Sequence, residues 1–233
     1  MNIALILAAG KGIRFDQQSP KQLYKINGKT IIEYSLDVVE GLEAIDWTMV
    51  VIHPPRQKDF KEIIRRYNKR VEICKGGSTR QESVYNGLTR IKETISGTEG
   101  VKVLIHDSAR PFSRDVFSRV LEKLKTEEAV VPVIQSKDTI YVIQDNHVVH
   151  IPCRDSLYHV QTPQGFSFTA IYDCHMRARE KNMNAFTDDG SLYSHLMGDQ
   201  PAVVNGDQMN FKITDKKDML LAESYLLKAE NRS

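Results

Sequence analysis

The chain has 233 residues, 41% of them hydrophobic and 27% charged, which places it among ordinary globular proteins able to bury one sizeable core. Lys and Arg number 32 against 30 Asp and Glu, a net charge of +2, so there is no basic field to hold a nucleic acid and any phosphate recognition has to be local. Cys74, Cys153 and Cys174 are odd in number, far apart and in no C-x-x-C arrangement, which argues against a disulfide framework or a zinc site.

The N-terminus runs straight into Ile3-Ala4-Leu5-Ile6-Leu7 without a basic leader, and no apolar run approaches the roughly 18 residues that span a bilayer. A cytoplasmic protein of one domain, residues 1–233, is expected. In chain order, short apolar runs recur at Ile3–Ala9, Trp47–His53, Val71–Cys74, Val101–His106 and Ala129–Val133. Segments with helical spacing separate them: Thr30–Leu42, Gln57–Tyr67, Arg80–Thr94 and Arg114–Leu124, with Phe168–Lys181 and Asp215–Ala229 to follow. Strands alternating with helices predict a mainly parallel sheet in a three-layer α/β fold.

Residues 137–151 break the alternation. Two β-rich runs flank Asp145-Asn146, which predicts a hairpin arm at about 136–158. Strict alternation would put Ile140, Val142 and Val148 on one face and Tyr141, Ile143 and Val149 on the other, so both faces carry apolar groups that need covering.

The first strand ends in Ala8-Ala9-Gly10-Lys11-Gly12. A Walker loop is absent, because Ile13 follows Gly12, and Phe15 stands where the dinucleotide fingerprint requires its third glycine. Small residues that let backbone N–H groups approach an anion remain, with Lys11, Arg14 and Lys21 in reach, an arrangement suited to a triphosphate. The same residues would also serve as a plain surface turn after a buried strand. Gly76-Gly77-Ser78-Thr79-Arg80 opens a helix and offers donors and a cation at its N-terminus, or simply a cap. His106-Asp107-Ser108-Ala109-Arg110 closes the fourth strand, where ligands of open α/β sheets gather, although the pair could be only an ion pair.

Taken in order, A-A-G-K-G-x-R with P-K-Q, G-G-x-x-R-Q-x-S-V-x-N-G-L, H-D-S-A-R-P-F, D-T-I, Q-T-P-Q-x-F, T-D-D and F-K-I-T-x-x-x-D closely resemble the 2-C-methyl-D-erythritol 4-phosphate cytidylyltransferases, from Ile3 to about Leu227. The related ribitol-5-phosphate cytidylyltransferases share most of these motifs. The resemblance implies a Rossmann-like nucleotidyltransferase fold that transfers the cytidylyl group of CTP to a polyol phosphate, in isoprenoid precursor synthesis for the first family. It implies backbone contacts to CTP from Leu7, Ala8, Ala9, Gly10 and Gly12, and contacts to base and ribose from Gly76, Gly77, Arg80 and Ser83, with Ser108 also on the CTP side. Ser78 departs from a frequent acidic residue. Arg14 and Lys21 match the cations that stabilise the transition state, while Asp107, Arg110, Thr139, Arg154, Thr162, Thr187 and Lys212 match the acceptor pocket. Ser108 stands where the ribitol enzymes have serine and many methylerythritol enzymes alanine. The family's arm clasps a second subunit, so a homodimer is implied, with Arg154 serving the opposite chain's site.

The acceptor's phosphate monoester, with a second pKa of about 6, is largely dianionic at neutral pH and needs no general base to attack the α-phosphorus of CTP. No Ser-His-Asp or His-x-x-x-His arrangement is present in the sequence, and its seven histidines lack metal-ligand spacing. Two anions do require neutralisation, which Arg14 and Lys21 would supply. Mg2+ is expected as cofactor, held by the CTP phosphates and water rather than by protein ligands. Two other readings stay open: the ribitol-5-phosphate enzyme, and a nucleotide-binding module without turnover, which would not require both cations.

Overall fold

The computed structural model describes residues 1–10 and 20–230, the side chains of 227–230 apart. An eight-stranded sheet runs through it. Its strands are β1 (Asn2–Ala8), β4 (Trp47–Ile52), β5 (Arg70–Lys75), β6 (Lys102–Asp107), β7 (Ala129–Gln135), β10 (Tyr158–Val160), β11 (Gln164–Ser167) and β12 (Ala202–Asn205). The small pairs β2 (Lys25–Ile26) with β3 (Lys29–Thr30), and β8 (Val142–Gln144) with β9 (His147–His150), stand apart from it.

Within the sheet β1 lies between β4 and β6, all parallel, and β5 continues beyond β4. On the other side of β6 comes β11, antiparallel to both β6 and β7, and β12 adds to the far edge of β7 in parallel. The pleat sorts side chains by alternation: Ile3, Leu5 and Leu7 enter one core, Ala4, Ile6 and Ala8 the other. The first core packs against α3 (Arg80–Thr94), α5 (Phe168–Glu180) and α6 (Asp189–Met197). The second packs against α1 (Ile31–Glu40), α2 (Gln57–Ile64) and α4 (Arg114–Lys123). Burial on both faces is why the strands read as continuous apolar runs. A third cluster, Ile26, Ile31, Ile213 and Ala222, seats α7 (Lys216–Glu230) beside the β2–β3 pair.

Local chemistry accounts for the helix starts. Thr30 and Glu33 form a reciprocal capping box at α1, and at α7 Asp218 accepts from the backbone N–H of Thr214 and Asp215. The expected strands and helices are all present, with ends shifted by a few residues. The sequence reading did not include β10, β11, β12 or α6.

The arm's turn is as expected, with Asp145 and Asn146 both at positive φ in a two-residue hairpin loop. Its faces are not. Ile143 pairs with Val148 and so shares a face with it, because the two-residue loop sets Gln144 opposite His147 and hence Ile143 opposite Val148; farther from the turn the register shifts between Val142 and Ile143 and leaves Val149 as the extra residue of a bulge. The apolar side chains remain exposed nonetheless.

Candidate active site

Strand order places the site. From β1 the chain moves outward to β4 and β5, then returns to lay β6 on the other side of β1, so the C-terminal ends of β1 and β6 meet at a point where the winding reverses. Leu7 stands opposite Asp107, which sets Ala8-Ala9-Gly10 beside Asp107-Ser108-Ala109. The turn after β5 reaches the same edge. Gly76 donates to the Ile52 carbonyl at the end of β4, and a Cβ on Gly76 would lie 2.3 Å from that of Ala9, so only glycine permits this approach. The antiparallel β11 begins where β6 ends, and thereby brings Thr162 to Asp107.

A cleft of about 440 Å3 opens there, lined by Leu7, Ala9, Gly10, Lys21, Gly77, Arg80, Ser83, Asp107, Ser108 and Lys212 among the expected residues. Gln22, Ser78, Thr79 and Ala109 line it as well. Asp107 is the electrostatic centre: Lys212 Nζ donates to its Oδ2 at 2.7 Å, and Arg80 Nε lies 3.5 Å from its Oδ1. Burial opposes its ionisation, but the Arg80, Lys212 and Arg110 cations outweigh that and hold the carboxyl well below the usual range. Arg80 reaches a second carboxylate, Asp189, with Nη2 2.8 Å from Oδ2. Asp189 is 1% exposed and also accepts from His175 Nε2 at 3.1 Å. Burial disfavours its charge, while Arg80 and His175 restore it.

The remaining expected residues are placed as follows. Lys21 Nζ donates to the Ile213 carbonyl at 2.7 Å, tying the lysine to the segment that carries Lys212. Ser83 Oγ accepts from Gly77 N at 3.0 Å and steadies the glycine turn. Ser108 is fully buried, and its hydroxyl donates to the Leu7 carbonyl at 2.8 Å, joining the two strand ends. Ala8 is buried behind the cleft, and Gly76 supports it without lining it. Arg110 also stands outside the lining, its Nη1 donating to the Asn210 carbonyl at 2.7 Å. Thr162 is buried, with its oxygen accepting from Asp107 N at 3.0 Å. Thr139, Arg154 and Thr187 are exposed and do not line this chain's own cleft. Gly12 and Arg14 lie outside the described residues.

Two residues escaped sequence reasoning. Asp189 belongs to the T-D-D motif, from which Thr187 was expected to act, yet Asp188 caps α6 by accepting from Ser191 N and Asp189 turns inward to Arg80. The D-x-x-S spacing of a helix start was the available signal. Gln22 follows Lys21 in P-K-Q and lines the cleft while almost wholly buried. Gln164 holds this corner together, its Oε1 accepting from the N–H groups of Asp189 and Gly190 and its Nε2 donating to Asp188 Oδ2.

A family model described as 2-C-methyl-D-erythritol 4-phosphate cytidylyltransferase matches residues 2–228. A protein of that name from Clostridium tetani is 38% identical over 234 residues, covering 99% of this chain and 92% of the relative, and one from Thermosipho africanus is 32% identical with 95% and 96% covered. Among solved structures, 4-diphosphocytidyl-2C-methyl-D-erythritol synthase from Anaerococcus prevotii superposes with a TM-score of 0.83 at 30% identity, covering 97% of this chain and 98% of its own. The Thermus thermophilus 2-C-methyl-D-erythritol 4-phosphate cytidylyltransferase gives a TM-score of 0.75 at 31% identity, with 95% and 97% covered.

Proposed function

Since the chain belongs to the 2-C-methyl-D-erythritol 4-phosphate cytidylyltransferase family, we infer that it transfers the cytidylyl group of CTP to 2-C-methyl-D-erythritol 4-phosphate. The products are 4-diphosphocytidyl-2-C-methyl-D-erythritol, an isoprenoid precursor, and pyrophosphate. The observation that carries this reading is the convergence of Lys21, Arg80 and Lys212 with Asp107 on one cleft at the winding reversal of the sheet. A phosphate oxygen of the acceptor forms a new bond to the α-phosphorus as the bond to the β-phosphate oxygen breaks, and pyrophosphate leaves with that electron pair. No proton has to be removed from a dianionic phosphate, so cations rather than a base carry the work. Lys21 and Arg14 stabilise the charge on the α-phosphoryl oxygens, Gly10 and Gly77 let backbone approach the nucleotide, and Lys212 and Asp107 hold the acceptor.

Asp107, which lines the cleft, and the buried Asp189 are both engaged by protein cations, and no group of three acidic, His or Cys ligands occurs among the described residues. That donor set fits a Mg2+ ion carried on the CTP phosphates and water, where it would neutralise phosphate charge. Arm-mediated homodimerisation is part of the proposal, supported by apolar side chains exposed along residues 140–151. A cytoplasmic location goes with it, and no helix among the described residues is long and apolar enough to cross a membrane.

Ribitol 5-phosphate is the competing acceptor. Ser108, the residue that pointed to it, spends its hydroxyl proton on the Leu7 carbonyl and so gives no reason to prefer it. Purified protein given CTP with each acceptor is expected to release pyrophosphate with the methylerythritol phosphate. Release with ribitol 5-phosphate alone would overturn that assignment, and CTP binding without turnover of either would favour a binding module.

Subunit mixing tests the arm. If Arg154 serves the partner's site, exchanging Lys21→Ala with Arg154→Ala dimers restores about a quarter of wild-type activity, since half the dimers are mixed and each has one intact site. Exchanged dimers with no recovery would sink the shared site.

A further inference from the structure

His106, next to Asp107 near the end of β6, is buried completely and stacked in tilted fashion on Phe117, with ring centroids 4.9 Å apart. Its Nε2 lies 3.0 Å from the Arg110 carbonyl oxygen and 3.3 Å from Ser113 Oγ. Its Nδ1 lies 3.1 Å from Thr162 Oγ1, the same oxygen that accepts from the Asp107 N–H at 3.0 Å. These partners admit one consistent direction of hydrogen bonding in the neutral ring. A carbonyl can only accept, so Nε2 carries the proton and donates to Arg110. Nδ1 is then bare and accepts from the Thr162 hydroxyl, which leaves the Thr162 oxygen to accept from Asp107.

We propose that His106, held as the neutral Nε2–H tautomer, is a positioning residue for the acceptor side of the cleft, bonding the Arg110 carbonyl and the Thr162 hydroxyl at once and so setting the turn that carries Asp107 and Arg110. The proposal rests on the reading above that this pair faces the acceptor. The ring touches neither substrate. It joins the backbone of a β6 turn to the segment leading into β11, adding to the bond from Asp107 N to the Thr162 oxygen across 55 residues of chain and to the strand pairing that starts with Gln164 opposite Ile105.

The groups facing the ring are the Asp107 carboxylate, the Arg110 guanidinium, Ser113, Thr162 and Phe117. Burial dominates them and pushes the imidazole down to about 4, with Asp107 pulling the other way. Protonation at Nδ1 would reverse the Thr162 bond and leave the threonine proton seeking a new acceptor in a buried site, which is costly.

The tautomer is read directly by 15N NMR of histidine-labelled whole protein without substrate. Protonated Nε2 with bare Nδ1 is expected from pH 8 to pH 5.5, and protonation of Nδ1 at pH 7, as the other tautomer or as imidazolium, would overturn the proposal. His106→Phe keeps the packing on Phe117 and removes both bonds. It is expected to raise the acceptor KM by about tenfold while the CTP KM stays within about threefold, and His106→Asn, whose amide oxygen stands at the δ position, should recover part of that loss. An unchanged acceptor KM in His106→Phe, or acceptor and CTP KM rising together, would reduce His106 to a packing residue and overturn the role. If wild-type protein fails to use the methylerythritol phosphate, the functional reading falls, whereas the NMR result still decides the tautomer.

Discussion

The cleft and the arm invert the usual partition between core and surface. In and behind the cleft, carboxylates are withdrawn from water and answered inside the chain: Asp107 by Lys212 and Arg80, the buried Asp189 by Arg80 and His175. In the arm, apolar groups stand in water, with Ile143 56%, Val149 55% and Tyr141 54% exposed among the described residues. A buried charge without a partner costs several kcal/mol, so the cleft has to balance its charges wherever it is made. An exposed valine costs little by itself, so the arm tolerates its surface, and the proposed second chain is what would cover it. Damage to the cleft should therefore register in one chain's stability and chemistry, and damage to the arm only in association.

The largest effect expected is on turnover. Lys21→Ala should lower kcat by about a hundredfold or more, equivalent to about 3–4 kcal/mol, with a much smaller change in CTP affinity, because its contribution grows in the transition state. Steady-state and binding measurements on the same variant check this, and turnover within about threefold of wild type would remove Lys21 from the catalytic groups. Asp189→Ala follows. It strips the buried partner from Arg80 and should cost about 3 kcal/mol of stability in urea unfolding, together with weaker CTP binding. A loss below about 1 kcal/mol would mean that Asp107 alone suffices to hold Arg80.

Acid dependence separates the two carboxylate and imidazole contributions to the cleft. His106 is depressed to about 4 in the folded chain, so between pH 6.5 and 4 the unfolded chain binds the extra proton. Stability from this group is fully present above pH 6.5 and is lost as pH falls toward 4, by up to about 3 kcal/mol. Asp107 is depressed below its unfolded value, so its contribution is lost only at lower pH. Denaturant titrations of wild type and His106→Phe from pH 7 to 4 should show the slope flattened in the variant, and parallel curves would contradict the burial of a neutral ring. The smallest effect belongs to the arm. Ile143→Asp with Val148→Asp, which share one face, should leave the stability of the monomer within about 0.5 kcal/mol while shifting a dimer to monomer in sedimentation. A stability loss comparable to that of Asp189→Ala would show that the arm packs on its own chain and erase the contrast between the two regions.

The periodicity of the chain by itself determined the layered α/β architecture, since Ile3–Ala8 or Trp47–Ile52 buried on both faces can be little other than interior parallel strands. It also determined the helix starts at Thr30 and Asp215, where capping is a matter of neighbours three residues apart, and the glycine turns that border the cleft. The hairpin's turn was local too, and its two-residue loop already sets Ile143 opposite Val148, but the bulge beyond that pair was not legible, because nothing in the sequence of Val148 and Val149 announces which one is extra. Short strands such as β11 and β12 take their conformation from the neighbours they pair with, so four residues carry too little pattern to be read alone. The site was the work of the tertiary structure in the same sense. That Asp189 rather than Thr187 turns inward, and that Thr162 meets both Asp107 and His106, depends on a strand running antiparallel beside β6 and starting where β6 ends. Hydrogen bonds and ion pairs across 27 to 105 residues of chain, such as those of Arg80 and Lys212 to Asp107, form only once the sheet order has brought those ends to one edge.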